Sequence, residues 1–155
     1  MYKHILLATD GLPLSGEAVL QALHTAKQLD ARVTAMTVVP AYHHLLENVE
    51  ALGRSTGLRK EQFEEKQKKR ANLILDEVKK AAGHYGVRCF SAVAFGDRPY
   101  AAILDQAEKS QCDLIVMASH GRRGLRGVLL GSETSKVLAH SKIPVLVCRS
   151  AQQAT

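Results

Sequence analysis

The sequence predicts a single α/β domain with one open, five-stranded parallel sheet and helices on both of its faces. Five apolar segments rich in β-branched residues are bounded by turn residues, as expected for buried strands. Helical patterns alternate with these segments, and nearly every strand position is apolar, which is typical of a parallel sheet covered on both faces. Because crossovers between parallel strands are right-handed, few topologies remain, and we favour the flavodoxin-like strand order 3-2-1-4-5.

The first strand and helix lie in the amino-terminal part of the chain. The segment 5–9 is an apolar strand that ends before Asp10 and Gly11. Ser15 is a candidate N-cap for the next helix, and Glu17 lies in its first turn. The apolar stripe of this helix consists of Val19, Ala22, Leu23, Ala26 and Leu29. The segment 32–39 is the second strand.

The second helix is long and strongly charged. The connection that precedes it, 41–57, has no clear period, and we interpret it as a surface loop or a lid. Apolar positions of the helix recur at helical spacing from Ala71 to Ala82, and Gly83 and Gly86 mark its end. Acidic and basic residues alternate between 61 and 70, which is typical of a solvated helix face.

The remaining elements continue the alternation of strands and helices. The segment 87–95 is the third strand, and a helix follows Asp97 with Pro99 in its first turn. The residues of this helix that face inward are Ile103, Leu104 and Ala107. The segment 114–119 is the fourth strand, a helix runs from 132 to about 140, and 144–148 is the final strand, at a sheet edge. In the favoured order the first and fourth strands are neighbours, and their carboxyl ends flank the switch point where such sheets bind ligands.

Length and composition are consistent with one domain. A chain of 155 residues with 46% apolar side chains allows one well-buried core and is too short for two ordinary domains. We therefore predict a domain over 1–150 and a short tail over 151–155. The apolar run before Asp10 is too short for a signal peptide, and no window approaches a membrane span, so we expect a soluble, cytoplasmic protein.

Cysteine and histidine patterns argue against disulfide and metal sites. The three cysteines, Cys89, Cys112 and Cys148, are widely spaced and form no CxxC motif, so we expect neither a disulfide framework nor a zinc site. His43 and His44 are adjacent, without a carboxylate or cysteine at ligand spacing. We therefore expect no metal site formed by protein side chains alone.

A glycine-rich loop joins the fourth strand to the fourth helix. Glycines let the backbone approach a phosphate, and the free N–H groups at a helix start attract anions. The net charge of +6 favours an anionic partner, and Arg122, Arg123 and Arg126 lie in this loop. These arginines can pair with phosphates or remain solvated. Ser132 is expected to cap its helix and can also contact a phosphate. The loop has neither a Walker A nor a GxGxxG pattern, so its residues alone predict only an anion site.

The loop also contains Gly121, then nine residues, then Gly131 and Ser132. This spacing resembles the ATP-binding motif of the universal stress protein family, G-x2-G-x9-G-[S/T]. The resemblance covers nearly the whole chain, from the opening KHILLATDG segment through Phe95-Gly96-Asp97 to the closing IPVLV segment. It implies an adenine nucleotide alpha hydrolase-like fold, ATP binding, and a homodimer that pairs through the strand 144–148.

One position departs from the family motif. Ala118 stands where the motif has its first glycine. If the site requires a positive φ, the methyl group costs roughly 1–2 kcal/mol. If the glycine only provides room for the ligand, alanine is tolerated with some loss of affinity.

The resemblance assigns ligand contacts to two strand ends. In the family, an acid after the first strand and a backbone position near the end of the second contact the ribose and adenine, which here are Asp10 and Val38. Asp10 can equally cap the turn toward Ser15, and the default role of Val38 is in the core. His120 can contact a phosphate or only brace its loop. The candidate nucleotide-binding residues are Asp10, Val38, Met117, Ala118, His120, Gly121, Arg122, Gly131, Ser132, Glu133 and Thr134.

The function that we expect is that of a regulatory, ATP-binding stress protein. Hydrolysis should be slow or absent, because no Walker-type lysine or evident general base is placed over a γ-phosphate. Mg²⁺ or Mn²⁺ is expected only with the nucleotide, held mainly by phosphates and water. An alternative is a stress protein that binds no nucleotide and works through dimerisation and protein partners. Nucleic-acid binding ranks last, because aromatic residues are few and no recognition motif is visible.

Overall fold

The secondary structure follows the predicted alternation. The computed structural model describes residues 1–12, 15–41, 59–119 and 130–149. Its strands are β1 (His4–Ala8), β2 (Arg32–Val39), β3 (Cys89–Phe95), β4 (Leu114–Ala118) and β5 (Val145–Cys148). Its helices in these ranges are α1 (Gly16–Leu29), α2 (Lys60–Tyr85), α3 (Pro99–Lys109) and α4 (Ser132–His140). The observed strand ends lie within one or two residues of the predicted ones.

The five strands form one parallel sheet in the order β3-β2-β1-β4-β5, which confirms the predicted topology. β1 is central: Ala8 pairs with Met36 of β2 on one side and with Met117 of β4 on the other. β3 and β5 are the edge strands, as predicted for β5. The carboxyl ends of β1 and β4 therefore lie side by side at the switch point.

Apolar side chains fill both faces of the sheet. On one face, called here the α1/α2 face, Leu23 of α1 and Leu75 of α2 pack against alternate residues of the strands. On the opposite face, called the α3/α4 face, Ile103 of α3 and Val137 of α4 do the same. Burial of each such side chain contributes about 1.5–3 kcal/mol relative to its exposure. The near-continuous apolar strands thus reflect a sheet covered on both sides.

Helix ends were predicted in part. Ser15 occupies the N-cap position of α1, but its hydroxyl makes no cap hydrogen bond and donates instead to the Leu12 carbonyl at 2.7 Å. The predicted hydroxyl cap is therefore wrong. Gly86 ends α2 with a left-handed φ of 69°, as predicted, whereas Gly83 lies inside the last turn of α2. Pro99 is the first residue of α3, also as predicted.

The inward face of α3 was predicted correctly. Ile103 and Ala107 are buried in the cluster of the α3/α4 face, and Leu104 packs against that cluster while partly buried. Their spacing places all three on the side of α3 that meets the sheet.

A polar cluster lies at the amino-terminal end of β1. The His4 ring is buried, and its Nε2 lies 2.8 Å from Oγ1 of Thr34 in β2. The Asp113 carboxylate accepts the backbone N–H groups of Lys3 and His4 at 2.8 and 3.0 Å. These bonds connect the start of β1 to the strands on both sides of it.

The cysteines form no disulfide. Cys112 and Cys148 are buried, and Cys89 is half-buried in β3. Burial raises the pKa of all three thiols, that of Cys112 to about 11 with a contribution from Asp113. The thiols are therefore protonated near neutral pH and are weak nucleophiles.

Some predictions concern residues outside the described ranges. The connection 41–57 beyond its first residue, the pair His43–His44 and the tail 151–155 all lie there. Within the described ranges, no helix is both long enough and apolar enough to cross a membrane.

Candidate functional site

The turn after β1 begins at Asp10. Its Oδ1 accepts the backbone N–H of Leu12 at 3.0 Å, so the carboxylate stabilises this turn, which was the structural alternative considered for it. Oδ2 of Asp10 accepts no hydrogen bond from a residue in the described ranges. One of the two carboxylate oxygens is thus used by the turn.

Gly11 allows the turn to pass close beneath α2. Its φ is +72°, in the left-handed region that favours glycine. A Cβ atom at this position would lie 2.6 Å from Cγ1 and 2.8 Å from Cδ1 of Ile74 in α2. The absence of a side chain at Gly11 therefore fixes both the course of the backbone after Asp10 and its distance from α2.

Three buried hydroxyl groups surround this turn on the α1/α2 face. Oγ1 of Thr37 donates to the Thr9 carbonyl at 2.9 Å, and Oγ1 of Thr9 donates to Oγ of Ser15 at 3.1 Å. Thr9 Oγ1 also accepts the Gly11 N–H at 3.3 Å, and Ser15 Oγ donates to the Leu12 carbonyl. All three residues are less than 8% exposed. We call this set the hydroxyl network.

Val38 and Met117 lie on the α3/α4 face at the carboxyl edge of the sheet. Met117 is buried in the core cluster of that face. Val38 is only half-buried and packs at the margin of the same cluster. Their side chains have core roles, and the backbone of Val38 lies two residues beyond the Met36 position that pairs with Ala8.

Ala118 is an ordinary strand residue. Among the described residues other than glycine, only Asp30 and Gln111 have a positive φ, so Ala118 carries no left-handed strain. Its methyl packs against the core of the α1/α2 face, opposite the face that α4 covers. The cost of roughly 1–2 kcal/mol that alanine would have at a position with positive φ is therefore absent.

The amino-terminal end of α4 lies beside the end of β4. Gly131 is the N-cap, with φ −68° and ψ 156°, and Ser132 is the first helical residue. No side chain makes a cap hydrogen bond here, so the predicted capping role of Ser132 is wrong. Ser132 lies one residue inside the helix, past the position whose hydroxyl reaches back to the first N–H groups. Its exposed side chain and the first-turn N–H groups remain available to an anion.

Thr134 and Gly131 join α4 to the end of β4. The Thr134 hydroxyl, which is buried, donates to the Ala118 carbonyl at 3.1 Å. The Gly131 N–H donates to the Ser119 carbonyl at 2.7 Å, and the Ser119 N–H donates to the Cys148 carbonyl in β5. These bonds hold the start of α4 against the carboxyl edge of the sheet.

The Glu133 carboxylate contacts α3. Its Oε2 accepts the N–H of Tyr100, in the first turn of α3, at 2.8 Å, and its Oε1 accepts from Nζ of Lys136 at 3.0 Å. A carboxylate at a helix amino terminus satisfies an N–H group without an intrahelical acceptor and interacts favourably with the helix dipole. Both oxygens of Glu133 are therefore used within the fold.

The middle of the glycine-rich loop lies outside the described residues. This includes the predicted contacts His120, Gly121 and Arg122, as well as Arg123 and Arg126. The described ranges contain no group of three or more histidine, cysteine or acidic side chains that could hold a metal ion. The described part of the candidate site thus comprises the turn at Asp10, the ends of β2 and β4, and the start of α4.

Sequence reasoning missed the hydroxyl network and the role of Glu133. A signal for Thr9 and Thr37 was present, because each is a polar residue at the inward position of an otherwise apolar strand end. The contact between Glu133 and Tyr100 has no comparable signal, because it depends on how two helices distant in sequence pack together.

The family model that describes the universal stress protein family matches residues 1–149. The chain belongs to the universal stress protein family. It is 36% identical over 149 residues to the universal stress protein MJ0531 of Methanocaldococcus jannaschii, and the alignment covers 96% of this chain and 83% of the relative. It is also 31% identical to YxiE of Bacillus subtilis, over 96% of this chain and all of that one. This family assignment confirms the resemblance inferred from the sequence.

Solved structures of universal stress proteins share the fold. The structure of MJ0577 from Methanocaldococcus jannaschii is 28% identical, with a TM-score of 0.75 and 97% coverage of both chains. A universal stress protein in complex with cAMP has a TM-score of 0.66 and 23% identity, over 96% of this chain and 97% of that one. One from Archaeoglobus fulgidus in complex with dAMP has a TM-score of 0.64 and 18% identity, over 94% and 97%.

Proposed function

We propose that this universal stress protein binds ATP or a related adenine nucleotide at the carboxyl edge of its sheet and acts as a regulatory stress-response module. The observation that supports this most directly is the uncapped start of α4 beside the end of β4. N–H groups without acceptors and the positive end of the helix dipole make this a place for a phosphate. In this proposal Gly131 gives the phosphate close access, and the Ser132 hydroxyl donates to a phosphate oxygen.

Asp10 and Val38 would hold the nucleoside. β1 lies between β2 and β4, so Asp10 is placed between the end of β2 and the start of α4. Its Oδ2 can accept hydrogen bonds from the ribose hydroxyls while Oδ1 retains its hydrogen bond from the Leu12 N–H. The backbone of Val38, which lies beyond the last residue pair of β1 and β2, can bond to the adenine edge. His120, Gly121 and Arg122 complete the proposed phosphate contacts from the glycine-rich loop.

The ligands of related proteins support an adenine nucleotide. Two universal stress proteins with this fold form complexes with cAMP and dAMP. Both ligands share adenine and a phosphate with ATP. For Glu133 and Thr134 the proposal involves their backbone N–H groups, because both side chains already make hydrogen bonds within the fold.

A metal ion would enter with the nucleotide. Because the described residues offer no cluster of metal ligands, Mg²⁺ or Mn²⁺ would be held mainly by phosphate oxygens and water. The ion would neutralise phosphate charge. Turnover should be slow or absent, because the Asp10 carboxylate is assigned to the ribose and the Glu133 carboxylate is bonded to Tyr100 and Lys136, which leaves neither as a general base.

We also propose a homodimer through β5. This strand is a sheet edge, and Leu146 in it and Leu138 in α4 are 39% and 41% exposed. Unpaired backbone groups at an edge strand favour pairing with another strand. A second copy of β5 satisfies those groups and covers the exposed leucine.

The nucleotide proposal is tested by calorimetric titration with ATP and Mg²⁺, with AMP, GTP and ATP plus EDTA as comparisons. Ser132→Ala should weaken ATP binding by about tenfold or more, since it removes a hydrogen bond to a charged phosphate. Gly131→Ala should also weaken binding. The φ of Gly131 is compatible with alanine, so the backbone is not strained, but the added methyl would lie where the phosphate is proposed to approach. Ser135→Ala is the matched control: this exposed serine in the same helix donates its hydroxyl to the Gly131 carbonyl and is not among the proposed phosphate contacts.

The outcomes separate the two functions considered. Saturable ATP binding that Ser132→Ala weakens and Ser135→Ala leaves unchanged supports the proposal. No binding by folded wild-type protein at millimolar ATP overturns it and favours the dimeric, partner-binding alternative.

A further inference from the structure

The hydroxyl network lies directly under the proposed ribose contact. Each of its bonds to the backbone ends on a group within two residues of Asp10: the Thr9 carbonyl, the Gly11 N–H or the Leu12 carbonyl. These groups belong to the residues before and after Asp10. The network therefore fixes the backbone on both sides of the carboxylate.

The network also connects three separate elements at this point. Thr37 belongs to β2, Thr9 follows β1, and Ser15 precedes α1. The Thr9 N–H additionally donates to the Met36 carbonyl at 3.0 Å, which extends the β1–β2 ladder past the last strand residue. The Thr9–Ser15 and Thr37–Thr9 bonds are buried, so water competes little for them, whereas the bonds to Gly11 and Leu12 are part-buried.

We infer that Thr9, Ser15 and Thr37 are positioning residues that hold Asp10 in the geometry needed to bind the ribose hydroxyls of a nucleotide. This inference rests on the proposed function and adds to it the source of selectivity for ribonucleotides. Asp10 uses Oδ1 for its own turn, so the direction of Oδ2 depends on how the turn is held. Oδ2 then discriminates ligands with ribose hydroxyls from ligands without them.

The test compares ATP with 2′,3′-dideoxy-ATP in calorimetric titrations of wild type and Thr37→Val. Valine keeps the shape of threonine and removes the bond to the Thr9 carbonyl. ATP affinity should fall by about two- to tenfold, the range expected for one lost hydrogen bond. Affinity for the dideoxy nucleotide should stay unchanged, because that ligand lacks the groups that Asp10 binds. Thr37→Ser, which keeps a hydroxyl, should restore most of the ATP affinity.

A double-mutant cycle distinguishes positioning from general support of the fold. In an Asp10→Ala background, Thr37→Val should no longer weaken ATP binding, because the group that it positions is gone. Thr34→Val is the matched control. Thr34 is an equally buried hydroxyl of the same strand, but it bonds to His4 near the opposite end of the sheet.

Each outcome has a definite meaning. Equal loss of affinity for ATP and the dideoxy nucleotide, or a loss that persists in Asp10→Ala, overturns the inference while leaving the proposed function intact. If Thr37→Val does not fold, Ser15→Ala is put through the same comparison and carries the same expectation. Wild-type protein that binds neither nucleotide overturns the proposed function itself.

Discussion

Ala118 shows how a motif position can change without changing the backbone. The residue lies in β4 with an ordinary strand conformation, and its methyl is on the face opposite α4. Glycine at this position would add conformational freedom to the unfolded chain and remove a packing contact. The structure therefore gives alanine a stabilising role here.

Ala118→Gly should lower the free energy of unfolding by about 0.5–1 kcal/mol. It should leave ATP affinity unchanged, because the methyl does not lie on the side of the proposed ligand. Urea unfolding and calorimetry measure the two quantities. Ala92→Gly, a half-buried alanine of β3 far from α4, is the control for the intrinsic cost of glycine in a strand. Tighter ATP binding by Ala118→Gly would contradict this expectation.

His4 should make the stability of the fold dependent on pH. Burial lowers the pKa of its imidazole, and Arg32 lowers it further. The unfolded chain thus binds the proton at a higher pH than the folded one. The contribution of His4 is complete above about pH 6.5 and is lost as the pH falls toward the lowered pKa, by at most about 1.4 kcal/mol per pH unit.

The effect of His4 is measured against His4→Gln, whose amide can still bond to Thr34. Urea unfolding at pH 7.5, 6.5 and 5.5 should show the stability difference between wild type and variant shrinking as the pH falls. A constant difference across this range would show that His4 does not titrate in this way.

Single residues were predictable where they follow from backbone geometry. Gly86 and Pro99 were identified from their conformational preferences alone, since each suits one position at a helix end. The caps at Ser15 and Ser132 were predicted wrongly. Serine near a helix start was read as a cap, but the Ser15 hydroxyl bonds to the Leu12 carbonyl, and Ser132 lies one residue inside its helix.

At the scale of elements, α3 and α4 form a pair. The Glu133 carboxylate of α4 occupies the amino terminus of α3, and the Lys136 ammonium lies 5.5 Å from the centroid of the Tyr100 ring. These contacts join the first turn of α4 to the first turn of α3. The sequence contains the two helices, but this connection depends on their packing on a common sheet face.

Glu133→Ala should destabilise the fold by about 1 kcal/mol, comparable to the loss of a helix N-cap, because the Tyr100 N–H loses its acceptor. Glu133→Gln should cost less, since the amide oxygen can still accept that hydrogen bond. Thermal and urea unfolding of the two variants provide the comparison. Equal destabilisation by alanine and glutamine would mean that the charge on Glu133, rather than the bond to Tyr100, stabilises the pair.

At the scale of the whole molecule, the topology favoured from the sequence is confirmed. Because strands and helices alternate strictly, the crossover connections are expected to be right-handed. Because the strands are apolar, helices are expected to cover both faces of the sheet. The order β3-β2-β1-β4-β5 then places the switch point between β1 and β4. The polarity of Thr9 and Thr37 was a signal for the hydroxyl network, but the partners of these side chains were not predictable, because they depend on how β1, β2 and the start of α1 pack together.

The two sheet edges allow a matched test of the proposed dimer. The Pro144 and Cys148 carbonyls accept bonds from β4, so Val147, at the alternate position, directs its N–H toward the open edge. Val147→Pro removes this donor without disturbing the β4–β5 ladder. Light scattering should show a dimer for wild type and a folded monomer for Val147→Pro.

Ser91→Pro is the control at the opposite edge. The Arg88 carbonyl and the Gly96 N–H bond to β2, so Ser91 lies at an outward position of β3. This variant should remain dimeric. A monomeric wild type, or loss of the dimer in Ser91→Pro alone, would contradict pairing through β5.

The central place of β1 has a consequence for how the chain is made. β1 is synthesised before the other strands and can pair with β2 early, but its other neighbour, β4, begins only at Leu114, about a hundred residues later. At the usual speed of translation the interval is on the order of ten seconds. During this time one side of a strand whose residues 5–8 are all apolar stays open on the nascent protein. Pauses or truncations before Leu114 should therefore yield aggregation-prone fragments that depend on chaperones. Once β4 has been synthesised, it can pair with β1 and cover the open side of that strand.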